Sequence, residues 1–169
     1  MSKNFFTDSK ATNTFKTTLL RDSLLPSLVG QDGDILYWAG KKIAREFVLT
    51  KDEEIPLFFK QAGFGTLKRV KSQRNTQTFE LTGTIIETRQ NIVDEPNFLL
   101  EAGFLAETIQ NQLGHPTDTI VLSSKKKMIT LLVKTDINTN ISDSKIDPKN
   151  IVELLGSDTT DTLPPRRRH

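Results

Sequence analysis

The sequence contains no cysteine, and this absence excludes several classes of function. Disulfide bonds, thiolate zinc sites, iron–sulfur clusters and cysteine nucleophiles all require a thiol. Long apolar runs are also missing, since no stretch approaches the roughly 18 residues that a membrane-spanning helix needs. The first ten residues, MSKNFFTDSK, lack the charged-then-apolar pattern of a secretory signal. We therefore expect a cytoplasmic protein without a transmembrane segment.

Neither sign of charge is in large excess. The net charge is +2, and the 36% hydrophobic and 26% charged residues are ordinary for a globular protein. A chain of 169 residues is long enough for one domain with a real core. We expect a loose N-terminal arm over residues 1–11, a single α+β domain over 12–156 and a disordered basic tail over 157–169.

Apolar spacing near 3.6 residues predicts helices in the first third of the chain. A first helix is expected from Asn13 to Gly30, with a possible kink at Pro26. A second carries the apolar residues between Ile35 and Phe47, after a cap at Asp32 or Asp34. A third, short helix is expected to begin at a capping box formed by Thr50 and Glu53 and to continue through Phe59 to Gly63.

The remaining chain predicts two hairpins around one apolar helix. Alternation over 67–89 indicates a hairpin that turns near Arg74 and Asn75, with Gly83 as a bulge or bend in its second strand. Residues 98–113 form the most apolar helix and end on Gly114. The segments TIVLSS and MITLLVKT flank a lysine turn and predict the second hairpin, and Asp147-Pro148 begins a brief helix expected to end at Gly156. The prediction is an α+β fold: N-terminal helices and one central apolar helix packed on an antiparallel sheet of two hairpins.

Few residues suggest chemistry. His115 lies alone in a turn, and one imidazole does not make a metal site, so we expect no metal and no cofactor. The glycine-rich AGFGTL segment at 62–67 follows a helix and precedes a strand, which indicates a helix cap and turn rather than a phosphate loop. The basic clusters at 125–127 and 166–168 contain no interleaved aromatic residues, so we expect no nucleic-acid binding. No catalytic residue is assigned.

Glu101 stands among apolar residues of the central helix, where a carboxylate must be paired or neutralised. We expect a structural ion pair between Glu101 and Arg45, with Lys41 as the other candidate cation.

Small residues recur on two of the predicted helices. Gly40 and Ala44 share one face of their helix, and Ala102 and Ala106 share another, with Gly103 alongside. Glycine within a helix costs about 1 kcal/mol relative to alanine, so a close contact must recover that cost. Three interpretations remain open: tight packing between helices of one chain, a homodimer contact, and a slot for a ligand.

Three segments, LYWAGKKIAREF, FFKQAGFGTL and FLLEAGFLAETIQ, resemble in order and spacing the YslB-like family of Gram-positive bacterial proteins, over residues 15–135. That family is similar in turn to the ligand-binding fold of 4-vinyl reductase-type domains and TRAPP transport subunits. The resemblance implies dimerisation and an apolar or acyl ligand. The chain lacks the cysteine that TRAPP-like acyl sites use, so such a ligand would be held non-covalently. The candidate ligand-binding residues are Tyr37, Trp38, Gly40, Ile43, Phe47, Gly103, Phe104, Leu105 and Ile109.

The sequence thus predicts a non-enzymatic binding module that forms a homodimer. One alternative is a protein interaction scaffold without a ligand. A second is an enzyme of unknown reaction that uses Glu101, with Arg45 or His115.

Overall fold

The structure is a computed structural model that describes residues 9–141 and 146–154. Its helices and strands follow in this order: α1 (Ser9–Thr18), a π-helical segment (Leu19–Leu24), α2 (Leu25–Val29), α3 (Ile35–Glu46), α4 (Glu54–Gln61), β1 (Thr66–Ser72), β2 (Thr76–Thr82), α5 (Thr84–Ile92), α6 (Leu99–Leu113), β3 (Thr117–Lys125), β4 (Met128–Thr135) and a 3-10 turn (Pro148–Asn150). Within this part of the chain, no helix is both long and apolar enough to cross a membrane.

The predicted α+β fold is confirmed. Two hairpins, β1–β2 and β3–β4, join into one antiparallel sheet of order β1-β2-β4-β3. One face of the sheet is buried, α6 packs against β3 and β4, and α4 packs against β1. The buried apolar side chains of this face are Leu67, Phe79, Leu81, Ile129, Leu131 and Val133.

The first helical stretch, which comprises α1, the π-helical segment and α2, ends where predicted but contains an irregular middle segment. It begins at Ser9, and Gly30, with φ 60°, ends it as predicted. The π-helical segment was not predicted, and in it the N–H of Leu25 donates to the carbonyl of Leu20. Pro26 follows directly and has no N–H to donate, so the regular hydrogen-bond ladder is interrupted here in any case. Residues 1–8 of the predicted arm lie outside the described residues.

The capping box predicted at Thr50 and Glu53 is wrong. The helix begins at Glu54, three residues later than a cap at Thr50 requires, and Glu53 makes no side-chain cap. Instead Glu54 reaches back, and its Oε2 accepts from the N–H of Lys51 at 3.1 Å. A carboxylate in the first turn satisfies a free donor and lies favourably in the helix dipole.

The second strand of the first hairpin is shorter than predicted. Gly83, with φ 114°, ends β2 and turns the chain into α5, so the segment from Ile85 to Arg89 is helical rather than extended. Ile85 and Ile86 are both buried, which only a helix packed on the core permits for adjacent residues at this position.

The central helix α6 matches the prediction closely. Residues 100–109 are all buried, and Gly114 caps the helix in the left-handed conformation with φ 72°. The predicted last helix is only a 3-10 turn, in which Asp147 accepts from the N–H of Lys149 and the helical geometry ends at Asn150. The basic tail predicted over 157–169 lies outside the described residues.

Candidate functional site

The small-residue faces of α3 and α6 press directly on each other. A side chain at Gly40 would meet the carbonyl of Leu100 and approach the backbone nitrogen of Phe104 to 2.8 Å. One at Gly103 would overlap the backbone carbonyl of Tyr37. The glycines therefore allow two helix backbones of one chain to touch, which is the first of the three interpretations. Each glycine lies directly against the backbone of the opposite helix, so no open space remains at either position.

Several predicted ligand residues belong to the core. Phe104, Leu105 and Ile109 are buried, and the Phe104 ring stacks on Phe58 with centroids 4.2 Å apart. Ile43 is half-buried against the same core, and Phe47 is partly exposed at the end of α3. None of these five side chains lines the groove that contains Tyr37 and Trp38.

Tyr37 and Trp38 lie instead at the surface, in an open groove of about 450 Å³. Trp38 is 65% exposed, although it is the largest apolar side chain in the protein. We call this the Tyr37–Trp38 groove; its lining residues are Asp34, Tyr37, Trp38, Leu99, Asp118, Thr119 and Ile120. It runs between the first half of α3 and the edge strand β3.

Polar contacts hold the aromatic wall of this groove in place. The Tyr37 hydroxyl accepts from the N–H of Thr119 at 3.1 Å and donates to Asp118 Oδ1 at 3.2 Å. Lys41 Nζ lies 3.5 Å from the same Asp118 oxygen and within 5.6 Å of both the Tyr37 and Trp38 ring centroids. Burial, opposed by the Thr119 hydrogen bond and assisted by the charge of Asp118, raises the pKa of Tyr37 to about 12. The tyrosine therefore stays neutral and covers part of the strand edge.

The predicted Glu101–Arg45 pair is wrong. Arg45 Nε donates to Glu107 Oε1 at 2.8 Å, because Glu107 lies one and a half turns further along α6, beside the end of α3. Glu101 lies on the side of α6 that faces the first helical stretch, where Arg21 binds it through both terminal guanidinium nitrogens.

Glu101 belongs to a buried cluster of two acids and two arginines, which we call the ion cluster: Arg21, Asp22, Arg89 and Glu101. Arg89 joins both acids, with Nη1 3.3 Å from Glu101 Oε1 and Nη2 3.0 Å from Asp22 Oδ1. Its guanidinium also donates to the Asn97 carbonyl and lies 4.5 Å from the Phe98 ring centroid. Each charge has at least one opposite charge in contact, as burial of ions demands.

The electrostatics of this cluster keep Glu101 ionised. Burial favours the neutral carboxyl, but the charge and hydrogen bonds of Arg21 and the charge of Arg89 outweigh it and hold the pKa of Glu101 below its usual range. Since Glu101 is fully buried and its oxygens are occupied, it cannot contact a substrate. The cluster fixes the first helical stretch to α5 and α6.

Sequence reasoning missed Arg21, Asp22 and Arg89. A signal was present, because Arg21 and Asp22 interrupt a leucine-rich helix. Both residues lie in the π-helical segment and are buried.

Other residues considered in the sequence have local roles. His115 Nδ1 lies 2.7 Å from the Thr139 carbonyl, a contact within the loops that flank the second hairpin. The lysine turn is pinned by Gln90, whose side chain donates to the Lys125 carbonyl and accepts from the Lys127 N–H, both at 2.8 Å. In the described part of the chain, no group of three or more histidine, aspartate or glutamate side chains is placed to hold a metal.

The chain is a member of the family described as "Protein of unknown function (DUF2507)", whose profile matches residues 14–134. It is similar to "Uncharacterized protein YslB" of Bacillus subtilis strain 168, with 41% identity over 123 residues that cover 70% of this chain and 83% of that protein. The YslB-like resemblance is thereby confirmed over almost the predicted range. The more distant similarity to TRAPP subunits and 4-vinyl reductase-type domains stays a prediction.

Proposed function

We propose that the protein is a non-enzymatic cytoplasmic module that binds a partner protein through the Tyr37–Trp38 groove. The observation that carries the proposal is the exposure of Trp38 beside Tyr37 and Lys41, both of which contact Asp118. Tryptophan and tyrosine are enriched among the residues that dominate binding energy at protein interfaces. Ile120 and Leu99 add apolar surface on either side.

The shape of the groove favours a protein over a small molecule. Small-molecule sites bury most of their ligand, about 70–90% of its surface, whereas this groove is open along its length. An apolar side chain of a partner would cover Trp38 while Asp34 and Asp118 remain at the rim. The contacts of Glu101, the candidate catalytic acid, do not favour the enzyme alternative, because its carboxylate is enclosed in the ion cluster.

Site-specific photo-crosslinking tests the groove. A photo-reactive phenylalanine analogue replaces Trp38, and in a matched control it replaces Val70, an exposed apolar residue on β1. We expect a discrete protein adduct after irradiation in cells from position 38, and none from position 70. Adding Ile120→Glu should abolish the adduct. Equal labelling from both positions, or an adduct that survives Ile120→Glu, would contradict the proposal.

The expected apolar or acyl ligand has its own test. Native mass spectra of the purified protein, compared with denaturing spectra, reveal any non-covalent molecule as mass lost on denaturation. Retained mass would favour the ligand-binding form of the module. Spectra of the bare chain would favour the interaction scaffold.

Self-association is a second candidate, and exposed leucines favour it. Leu20, Leu24 and Leu28 recur at intervals of four on the first helical stretch, and each is about half exposed or more. We call them the leucine stripe. From Leu19 to Gly30 the exposed residues include no charged one, which is unusual for a helix surface in water. A homodimer would bury this surface and show twice the chain mass of 19.1 kDa in light scattering.

A further inference from the structure

A second, smaller pocket lies on the opposite end of α3 from the Tyr37–Trp38 groove. It measures about 200 Å³ and is lined by Arg45, Val48, Glu107, Asn111, Ile146, Asp147 and Asn150. The C-terminal end of α3, the second half of α6 and the 3-10 turn bring these residues together. Asn150 Nδ2 donates to the Arg45 carbonyl at 3.0 Å and so attaches the turn to α3.

Glu107 is the unusual residue of this pocket. Its side chain is only 5% exposed, and Arg45 Nε binds its Oε1. Its second oxygen, Oε2, is buried and makes no hydrogen bond. A buried carboxylate oxygen without a partner costs free energy, since the water it has lost is not replaced. A donor placed in the pocket would remove that cost.

We propose that this pocket binds a small primary ammonium ion, with the N–H groups donating to Glu107 Oε2. The charged groups around the pocket, Glu107, Asp147 and Arg45, carry one net negative charge, which a monovalent cation neutralises. The oxygens of Asn111 and Asn150 offer further acceptors, and an ammonium has three donors to satisfy. Neither this pocket nor Glu107 takes part in the proposed groove function.

The walls and size define the rest of the ligand. Val48 and Ile146 supply apolar surface for a short alkyl chain. A water molecule occupies about 30 Å³ of liquid, so a pocket of this volume has room for roughly six heavy atoms. A four-carbon primary amine fits that size. A ligand this small gains affinity from few atoms, and we expect a dissociation constant in the roughly millimolar range.

Titration of the full chain with n-butylammonium chloride, followed by amide NMR, tests the pocket. We expect saturable shifts of the Asn111 and Asn150 side-chain amides, while sodium chloride at equal ionic strength and butan-1-ol leave them in place. The absence of a saturable shift at any concentration that leaves the protein folded would overturn the proposal. Equal shifts with butan-1-ol would overturn recognition of the ammonium charge.

Two variants locate the binding on Glu107. Glu107→Gln keeps an oxygen for Arg45 but removes the negative charge, and it should weaken binding at least tenfold. Glu53→Gln, an exposed glutamate outside the pocket, serves as the matched control and should bind like the original chain. Unchanged affinity in folded Glu107→Gln would overturn the assignment. Should that variant not fold, Ile146→Trp decides the matter, because it fills the pocket from a partly exposed position, and retained binding would exclude this site.

Discussion

At the level of single residues, Gly40 and Gly103 determine how closely α3 and α6 approach. We expect Gly40→Ala and Gly103→Ala each to lower the free energy of unfolding by roughly 1–3 kcal/mol, the usual cost of overpacking, because the added methyl group meets backbone that cannot rotate away. The measurement is urea denaturation. In an exposed helix the same change would stabilise by about 1 kcal/mol, so the sign itself is informative.

The matched control is Lys42→Ala, which introduces alanine on the exposed side of α3. It should change stability by about 0.5 kcal/mol or less. If either glycine variant were more stable than the original chain, the backbone contact between the two helices would be refuted.

Tyr37 gives a second residue-level prediction, and as the only tyrosine it can be titrated alone. Burial disfavours the tyrosinate and, despite the Thr119 hydrogen bond, raises the pKa to about 12 from the ordinary 10.0. A raised pKa stabilises the fold fully below pH 10 and loses this contribution as the pH rises toward 12. The midpoint of tyrosinate absorbance should therefore lie near 12 in the folded protein.

Two comparisons test the cause of this shift. In denaturant the midpoint should return to near 10, and Asp118→Asn should lower the folded value because the neighbouring negative charge is gone. A folded midpoint close to 10 would mean that the hydroxyl is solvated and does not cover the edge of β3.

Residue spacing drew attention to the two glycines but left the nature of their contact open, and it did not predict the ion pairs. Gly40 and Gly103 stand out because glycine inside a helix is costly, and that signal is local. The partner of Glu101 depends on how α6 crosses its neighbours, and Arg21 is 80 positions away along the chain. Arg45 was an equally reasonable cation in the sequence. Only the packing shows that it reaches Glu107.

Among the helices and strands, α5 has a role that the sequence did not indicate. Gln90 on α5 holds the β3–β4 turn through two hydrogen bonds, one to Lys125 and one from Lys127. Lys127 has φ 68°, a conformation that is uncommon for a lysine and that neighbouring contacts can stabilise. We expect Gln90→Ala to cost about 1–2 kcal/mol and to speed hydrogen exchange at the Lys127 amide.

The exchange measurement separates this attachment from a general loss of stability. Amides in the middle of β4 should exchange faster only by the amount that the lower global stability accounts for. Amides in the turn should accelerate more than that. Gln73→Ala, in the turn of the first hairpin, is the control and should leave Lys127 unaffected. Equal acceleration throughout the sheet would contradict a local attachment.

The reason α5 escaped prediction is physical. Its apolar residues Ile85 and Ile86 are β-branched and directly follow a strand. The sequence pattern therefore favours a strand that continues past Gly83. The helix is stabilised by tertiary packing and by Arg89 in the ion cluster, not by propensity. The central helix, long and apolar, was predictable from its own sequence because most of its residues are buried.

For the whole molecule, the ion cluster and the leucine stripe describe two sides of the first helical stretch. Arg21 and Asp22 face inward and attach it to α5 and α6. Its outward residues present apolar surface that the rest of the described chain leaves uncovered. If the ion cluster keeps this stretch in one position, its exposed leucines are preorganised for a contact between two copies of the chain.

Leu24→Glu tests self-association. In a symmetric homodimer one substitution changes the interface twice and brings two like charges toward each other, which costs several kcal/mol. We expect the original chain to scatter light at twice 19.1 kDa and the variant at 19.1 kDa. The control is Leu113→Glu, since Leu113 at the end of α6 is 49% exposed and Leu24 is 47% exposed, and it should remain dimeric. Identical masses for the original chain and Leu24→Glu would exclude the stripe as the dimer contact, while dissociation by both variants would point to a general effect of added charge.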